Sequence, residues 1–264
     1  MPSRINKVFA NKEKKLITFV TGGDPDQTSS NKILHTIINN GADIIEIGMP
    51  FSDPMADGPT IQLSSNRAIK KGINLDSIFN ICDNLRKKNN TIPIILMGYY
   101  NVILHYGIKK FTKKCSLTGI DGLIIVDLQP EEDMELYESI KNHNIDLIRL
   151  ITPTTTSKRL NTIVSHASGF LYYVTITGIT GQKSANMHEL KNCINRIRKQ
   201  SQLPIVAGFG IKNKKQVKEI CQITDGAVVG SSIIKIIENN LNKKDVMLKN
   251  IGNFVKNLKH GTRL

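Results

Sequence analysis

Short runs of Val, Ile and Leu recur along the whole chain, each too brief for a helix and each leading through a turn into residues with apolar spacing of three and four. Eight such runs fall at 16–20, 43–47, 93–98, 122–127, 147–151, 170–175, 204–209 and 226–230. The patterns between them are those of amphipathic helices, as in Ile33, Leu34, Ile37 and Ile38, or Leu75, Ile78, Phe79, Cys82 and Leu85. Further helices are expected at 131–142, 158–165, 189–199, 214–221 and 231–238. The apolar runs lack in–out polar alternation, which implies a parallel sheet with covered faces and crossover helices. Eight units in 264 residues give about 33 residues apiece, what a strand, a helix and two loops require. The expectation is therefore a (β/α)8 TIM barrel, with residues 1–264 forming a single domain. A doubly wound open sheet fits less well. Its GxGxxG turn after the first strand is replaced by Thr21-Gly22-Gly23-Asp24-Pro25. Extra helices are expected at 3–11, under the barrel floor, and at 245–258, after the eighth unit.

Several function classes lose support from composition. No stretch approaches the roughly 18 apolar residues of a membrane span, and residues 1–15 lack a signal-peptide apolar run, so a soluble cytoplasmic protein is expected. Cys82, Cys115, Cys193 and Cys221 are too far apart for a metal-ligand spacing and read as reduced core residues. The net charge of +14 comes from 36 basic against 22 acidic side chains. The basic residues are scattered over many predicted helix faces, as at Lys12, Lys14 and Lys15 or Lys212, Lys214 and Lys215, so no nucleic-acid partner is expected. No metal cluster, Walker loop or nucleophile elbow is present, and none of the six histidines falls at a predicted strand end.

In barrels of this kind the active site lies at the C-terminal ends of the strands. Three loops there stand out. The connection from Gly48 to about Asn74 is the longest and is dense in turn formers and carboxylates. The segment 175–181 has spaced glycines and hydroxyls and reads as a lid. Strands seven and eight end in Gly208-Phe209-Gly210 and Gly230-Ser231-Ser232, the second opening a helix. Glycines there admit a phosphate to backbone N–H groups at the positive end of a helix. A phosphate ester is therefore the expected substrate. One carboxyl, Glu46, sits inside the second apolar run and shares the strand face of Ile44. Burial at the barrel mouth should raise its pKa into the range of general acid–base work. Asp57 offers a second carboxyl in a different environment.

The stretch EIGMPFSDPMADGPTIQ, residues 46–62, resembles the signature of the tryptophan synthase alpha chain family. The likeness extends in order through FVTGGDP at 19–25, LMGYYN at 96–101, TGITG at 177–181, GFGI at 208–211 and Gly230-Ser231. The resemblance implies a lyase that cleaves indole-3-glycerol phosphate to indole and glyceraldehyde 3-phosphate. It implies Glu46 as the general acid–base and Asp57 as the carboxylate that holds the indole N–H. It further implies Tyr172 at the substrate site, Thr180 in the lid, and Gly181, Gly210, Gly230 and Ser231 in the phosphate cradle. Phe19, Met97, Tyr99, Ile124 and Phe209 would wall a flat indole. The implied partner is a beta chain carrying pyridoxal phosphate, in an αββα heterotetramer, with no cofactor in the alpha chain. The sequence departs from the family pattern at Thr18, Val102, Gln129 and Thr175, none of which removes a carboxylate or a phosphate glycine. Two other functions fit the same barrel: a subunit kept mainly to bind and activate its partner, and a different sugar-phosphate isomerase or epimerase.

Overall fold

A computed structural model describes residues 2–175, 183–208 and 210–263, with the backbone alone for residues 183–186. In chain order the elements begin with α1 (Arg4–Phe9), β1 (Lys15–Thr21), α2 (Gln27–Asn39), β2 (Ile44–Gly48), α3 (Pro59–Lys70), α4 (Leu75–Lys88) and β3 (Ile94–Gly98). They continue with α5 (Tyr100–Tyr106), α6 (Ile108–Leu117), β4 (Gly122–Ile125), α7 (Met134–Lys141), β5 (Asp146–Leu147), β6 (Arg149–Ile151), α8 (Ser157–Ser165) and β7 (Leu171–Val174). The last part comprises α9 (Lys183–Arg198), β8 (Ile205–Gly208), α10 (Lys214–Cys221), β9 (Gly226–Val229), α11 (Ser231–Glu238) and α12 (Lys244–Gly261).

All the strand pairs are parallel, in the order β5-β4-β3-β2-β1-β9-β8-β7-β6. The two ends of that order are joined by one residue, Ile148, whose N–H donates to the Leu123 carbonyl at 2.9 Å. The expected fifth strand is thus divided: β5 pairs with β4, and β6 pairs with β7. The sheet returns on itself as the (β/α)8 barrel. Helices α1 and α12 are the two additions expected outside the eight units.

Strand alternation splits the core in two. Ile17, Ile44, Ile95, Ile124, Ile148, Tyr172, Val206 and Val228 point into the barrel, and Ile5 of α1 joins them from below. The outward set, including Leu16, Ile45, Leu96, Leu123, Ala207 and Val229, packs under the helices. With the interior filled by these side chains, a cavity remains at the strands' C-terminal ends. Cys82, Cys115 and Cys221 are buried, Cys193 is half-buried, and all four thiols are free.

Three expected boundaries need correction, the first being the helix expected over 189–199, which is α9 and starts at Lys183. The connection from Gly48 to Asn74 is not all loop, because α3 occupies Pro59–Lys70. Its buried face is Ser64, Ser65 and Ala68, small and mostly polar, so no apolar periodicity announces it. The helix expected over 131–142 is a 3-10 turn at Pro130–Glu132 followed by α7.

Candidate active site

Glu46 occupies the third position of β2, between Phe19 of β1 and Ile95 of β3 in the sheet register. Its inward direction follows from Ile44 two residues earlier, which lies in the inner core. The side chain is fully buried, and neither carboxyl oxygen has a hydrogen-bond partner among the described residues. Burial pushes its pKa to about 8, because the anion loses its hydration there. At neutral pH the group is therefore a carboxylic acid. Tyr172 of β7 is buried too, and burial, joined by the Glu46 charge once that group ionises, pushes its phenol up, keeping it a neutral hydroxyl.

Asp57 is held from three sides. Its N–H donates to the Pro54 carbonyl at 3.0 Å, closing a turn. The side-chain amide of Gln62, in the first turns of α3, donates to the Asp57 carbonyl at 2.9 Å. The Tyr99 hydroxyl donates to Asp57 Oδ2 at 3.0 Å and accepts the Ala56 N–H at 3.0 Å, while the Phe51 ring lies 5.2 Å from that of Tyr99. Burial raises the Asp57 pKa, and the Tyr99 hydrogen bond opposes the rise by favouring the anion. Pro59 at the first position of α3 fixes where the turn becomes helix.

Both carboxyls line a cavity of about 440 Å³ at the C-terminal mouth of the barrel. Phe19, Met97, Tyr172, Gly210, Gly230 and Ser231 line it as well. Gly210 has a φ of 71°, which favours glycine. At Gly230 a Cβ would lie 3.0 Å from Phe19 Cδ1, so glycine lets the aromatic wall and the backbone approach each other. Gly230 opens α11 without a side-chain cap, leaving N–H groups of the first turn for a ligand. The Ser232 hydroxyl donates to the Ile211 carbonyl at 2.8 Å and ties that turn to the loop after β8.

Not every expected site residue is a wall. Tyr99 touches Asp57 rather than the cavity, and Ile124 is fully buried in the inner barrel core. Thr180, Gly181 and Phe209, with most of the expected lid, lie outside the described residues. The sequence reading missed Val126, Leu150, Val174 and Val228, although each follows the inward parity of its strand. It also missed Thr152, Thr155 and Arg159, which come from irregular backbone and the start of α8. Gln129 enters the wall too, its side-chain carbonyl accepting from Arg159 at 2.6 Å.

Of the other departures, Thr18 is buried, its hydroxyl without a partner among the described residues, and Val102 continues α5. Thr175 follows the end of β7. Among the described residues no group of three or more His, Cys, Asp or Glu could hold a metal, and no helix is long and apolar enough to cross a membrane. A larger groove of about 930 Å³ lies at the opposite end, beside α1. Its acids are engaged, the buried Asp121 by Arg4 and Arg86 and the half-buried Asp146 by Ser3.

A closed barrel with a proton-bearing carboxyl in an apolar cavity at its C-terminal mouth defines an enzyme of the (β/α)8 class. Residues 5–263 match the family model described as tryptophan synthase alpha chain. The chain belongs to that family, whose members are lyase subunits catalysing the alpha reaction of tryptophan biosynthesis, the cleavage of indole-3-glycerol phosphate. The tryptophan synthase alpha chain of Petrotoga mobilis is 46% identical over 257 residues, spanning 97% of this chain and 99% of its own length. Subunit alpha from Legionella pneumophila str. Paris is similar in structure, with 36% identity, a TM-score of 0.91 and 99% of each chain covered. A chain of Mycobacterium tuberculosis tryptophan synthase in space group F222 is 29% identical, with a TM-score of 0.89 and 100% of both chains covered. Neither a different isomerase nor a merely activating subunit is favoured by these matches.

Proposed function

We propose that Glu46 is the acid–base group of the cleavage and that Asp57 stabilises the charge developing on the indole. The observation carrying this reading is the buried Glu46 carboxyl, unpartnered among the described residues, sharing one cavity with Asp57. With a pKa of about 8, Glu46 begins protonated and gives its proton to indole C3. The resulting indolenine carries positive charge at its nitrogen, where the Asp57 carboxylate accepts the N–H. The Glu46 carboxylate then takes the proton of the glycerol hydroxyl next to the ring. As that O–H electron pair becomes the aldehyde C=O, the carbon–carbon bond breaks and its electrons return to the indolenine. Indole and glyceraldehyde 3-phosphate leave, and Glu46 is protonated as at the start.

The phosphate sits against Gly210, Gly230 and the start of α11 at Ser231, where backbone N–H groups and the helix dipole favour its charge. Thr180, Gly181 and Phe209 complete the site in this reading, and Phe19 and Met97 flank the ring. The chain works as one domain in the cytoplasm and hands indole to a beta chain that carries pyridoxal phosphate, in an αββα assembly. Membership of the alpha chain family supports that partner.

The test is Glu46→Gln, which keeps shape and removes the transferable proton. Indole release should fall by about 10²-fold or more while the circular dichroism spectrum is unchanged. Full activity in a folded variant would overturn the assignment. Measuring indole formation with and without a beta chain then separates the chain's own turnover from activation by its partner.

A further inference from the structure

Helix α3 has almost no apolar seat. Its buried positions are Ser64, Ser65 and Ala68, so directional polar contacts must fix where it lies on the barrel. Two of them share one face. The Ser64 hydroxyl shares a 2.5 Å hydrogen bond with that of Thr21 at the end of β1. One turn further, Arg67 grips Asp24 in a two-pronged pair, Nε to Oδ1 at 2.8 Å and Nη2 to Oδ2 at 2.8 Å. The Asp24 carboxyl is completely buried and the Arg67 side chain is 21% exposed. Burying such a pair costs desolvation, and apolar residues of similar volume often stabilise a fold as well; what the fork adds is a defined direction. At the other end of α3, Gln62 holds the Asp57 carbonyl at 2.9 Å. Glu238, on the helix that begins at the Ser231 end of the cavity, adds to the negative field around Arg67.

We propose that Arg67, seated on Asp24, is a positioning residue for the cleavage: through α3 it sets where the Asp57 carboxylate stands in the cavity. The proposal rests on the reading of Asp57 given above. It separates two properties of the site. Phosphate affinity belongs to the loops after β8 and β9, whereas the bond-breaking rate depends on the seat of α3.

The informative variant is the double substitution Asp24→Asn with Arg67→Met, which leaves no orphaned charge. In the full-length chain, kcat for indole release should fall about tenfold, the scale of a small misplacement of a catalytic group. Inhibition by sn-glycerol 3-phosphate, which probes the phosphate cradle alone, should stay within about twofold. Arg67→Lys keeps the charge but not the fork and should fall between the two. In an Asp57→Asn background, followed in single turnovers, the double substitution should add little further loss, because it acts through Asp57.

Three results would overturn the proposal: an unchanged kcat, a parallel loss of glycerol phosphate binding, or the same slowing with and without Asp57. Full activity of Asp57→Asn alone would sink the reading of Asp57 together with the clamp. An inactive Asp57→Asn beside a fully active double variant would sink the clamp alone.

Discussion

Glu46 makes the fold less stable by the same feature that suits it to chemistry. Its pKa is about 8 in the folded chain, against an ordinary 4.5, because the anion is buried without partners among the described residues. The sign of the linkage follows. Between about pH 4.5 and 8 the unfolded chain releases this proton and the folded chain keeps it, so the Glu46 contribution to stability declines as pH rises across that window. Above the folded pKa the loss is complete. Glu46→Gln has no proton to lose, so its thermal midpoint should exceed that of the parent, with a gap that widens from pH 5 to 8 and then levels off. The plateau corresponds to a few kcal/mol, several degrees for a chain of this size. Thermal melts of both proteins across that range check it, and a pH-independent gap would mean that Glu46 is already ionised in the folded state. The same residue was legible in the sequence because an acid inside an apolar run has few structural explanations. Arg159 and Thr155 were not: nothing in their neighbours' pattern places an α8 arginine or a loop threonine at a cavity built mainly by strand ends.

At the scale of elements, the apolar runs marked the strands because a strand buried on both faces has no polar position to blur it. Amphipathic spacing marked α4 in the same way. Helix α3 escaped because its inner face is serine and alanine, and the split of the fifth strand escaped because hydrogen-bond direction at Ile148 leaves no compositional trace. Single acids also do the joining between elements. Asp121, just before β4, accepts the Ile94 N–H at 2.8 Å, Arg4 Nη1 at 2.9 Å and Arg86 Nη2 at 2.9 Å. One buried carboxylate thereby fastens α1, α4 and the start of β3. Asp121→Ala leaves all three donors without their acceptor and Arg86, 12% exposed, without its ion pair. The expected cost is about 3 kcal/mol, the usual scale for breaking a buried pair from one side. Urea unfolding should register it as a lower midpoint, and Asp121→Asn should recover part of the loss because its side-chain oxygen still accepts the Ile94 N–H. An unchanged midpoint would show that packing alone fastens these elements.

Over the whole molecule the excess of 36 basic over 22 acidic side chains produces two opposite responses to salt. Many acids are already committed to nearby cations, as in Lys87–Asp83, Lys235–Glu238, Lys244–Asp26 and Lys259–Asp43. The uncompensated charge sits on exposed lysines spread around the barrel, for example Lys109, Lys110, Lys113 and Lys114 on α6 and Lys212, Lys214, Lys215 and Lys218 at α10. At about 0.01 M salt the screening length is near 30 Å, so these groups repel one another across the fold; at 0.15 M it is about 8 Å and the repulsion is largely gone. Exposed ion pairs weaken over the same interval, but each is worth only about 0–1 kcal/mol, and at a net charge of +14 the relief of repulsion is expected to outweigh their loss. The thermal midpoint should therefore rise by a few degrees between the two salt concentrations. Capture of an anionic phosphate ester should move the other way, with kcat/KM falling as salt screens the positive net charge that draws the substrate in, while kcat, read at saturating substrate, stays level. Melting curves and steady-state indole release in the same chloride series measure both; a midpoint that falls with salt would mean that the surface ion pairs, rather than the net charge, govern the stability of this barrel.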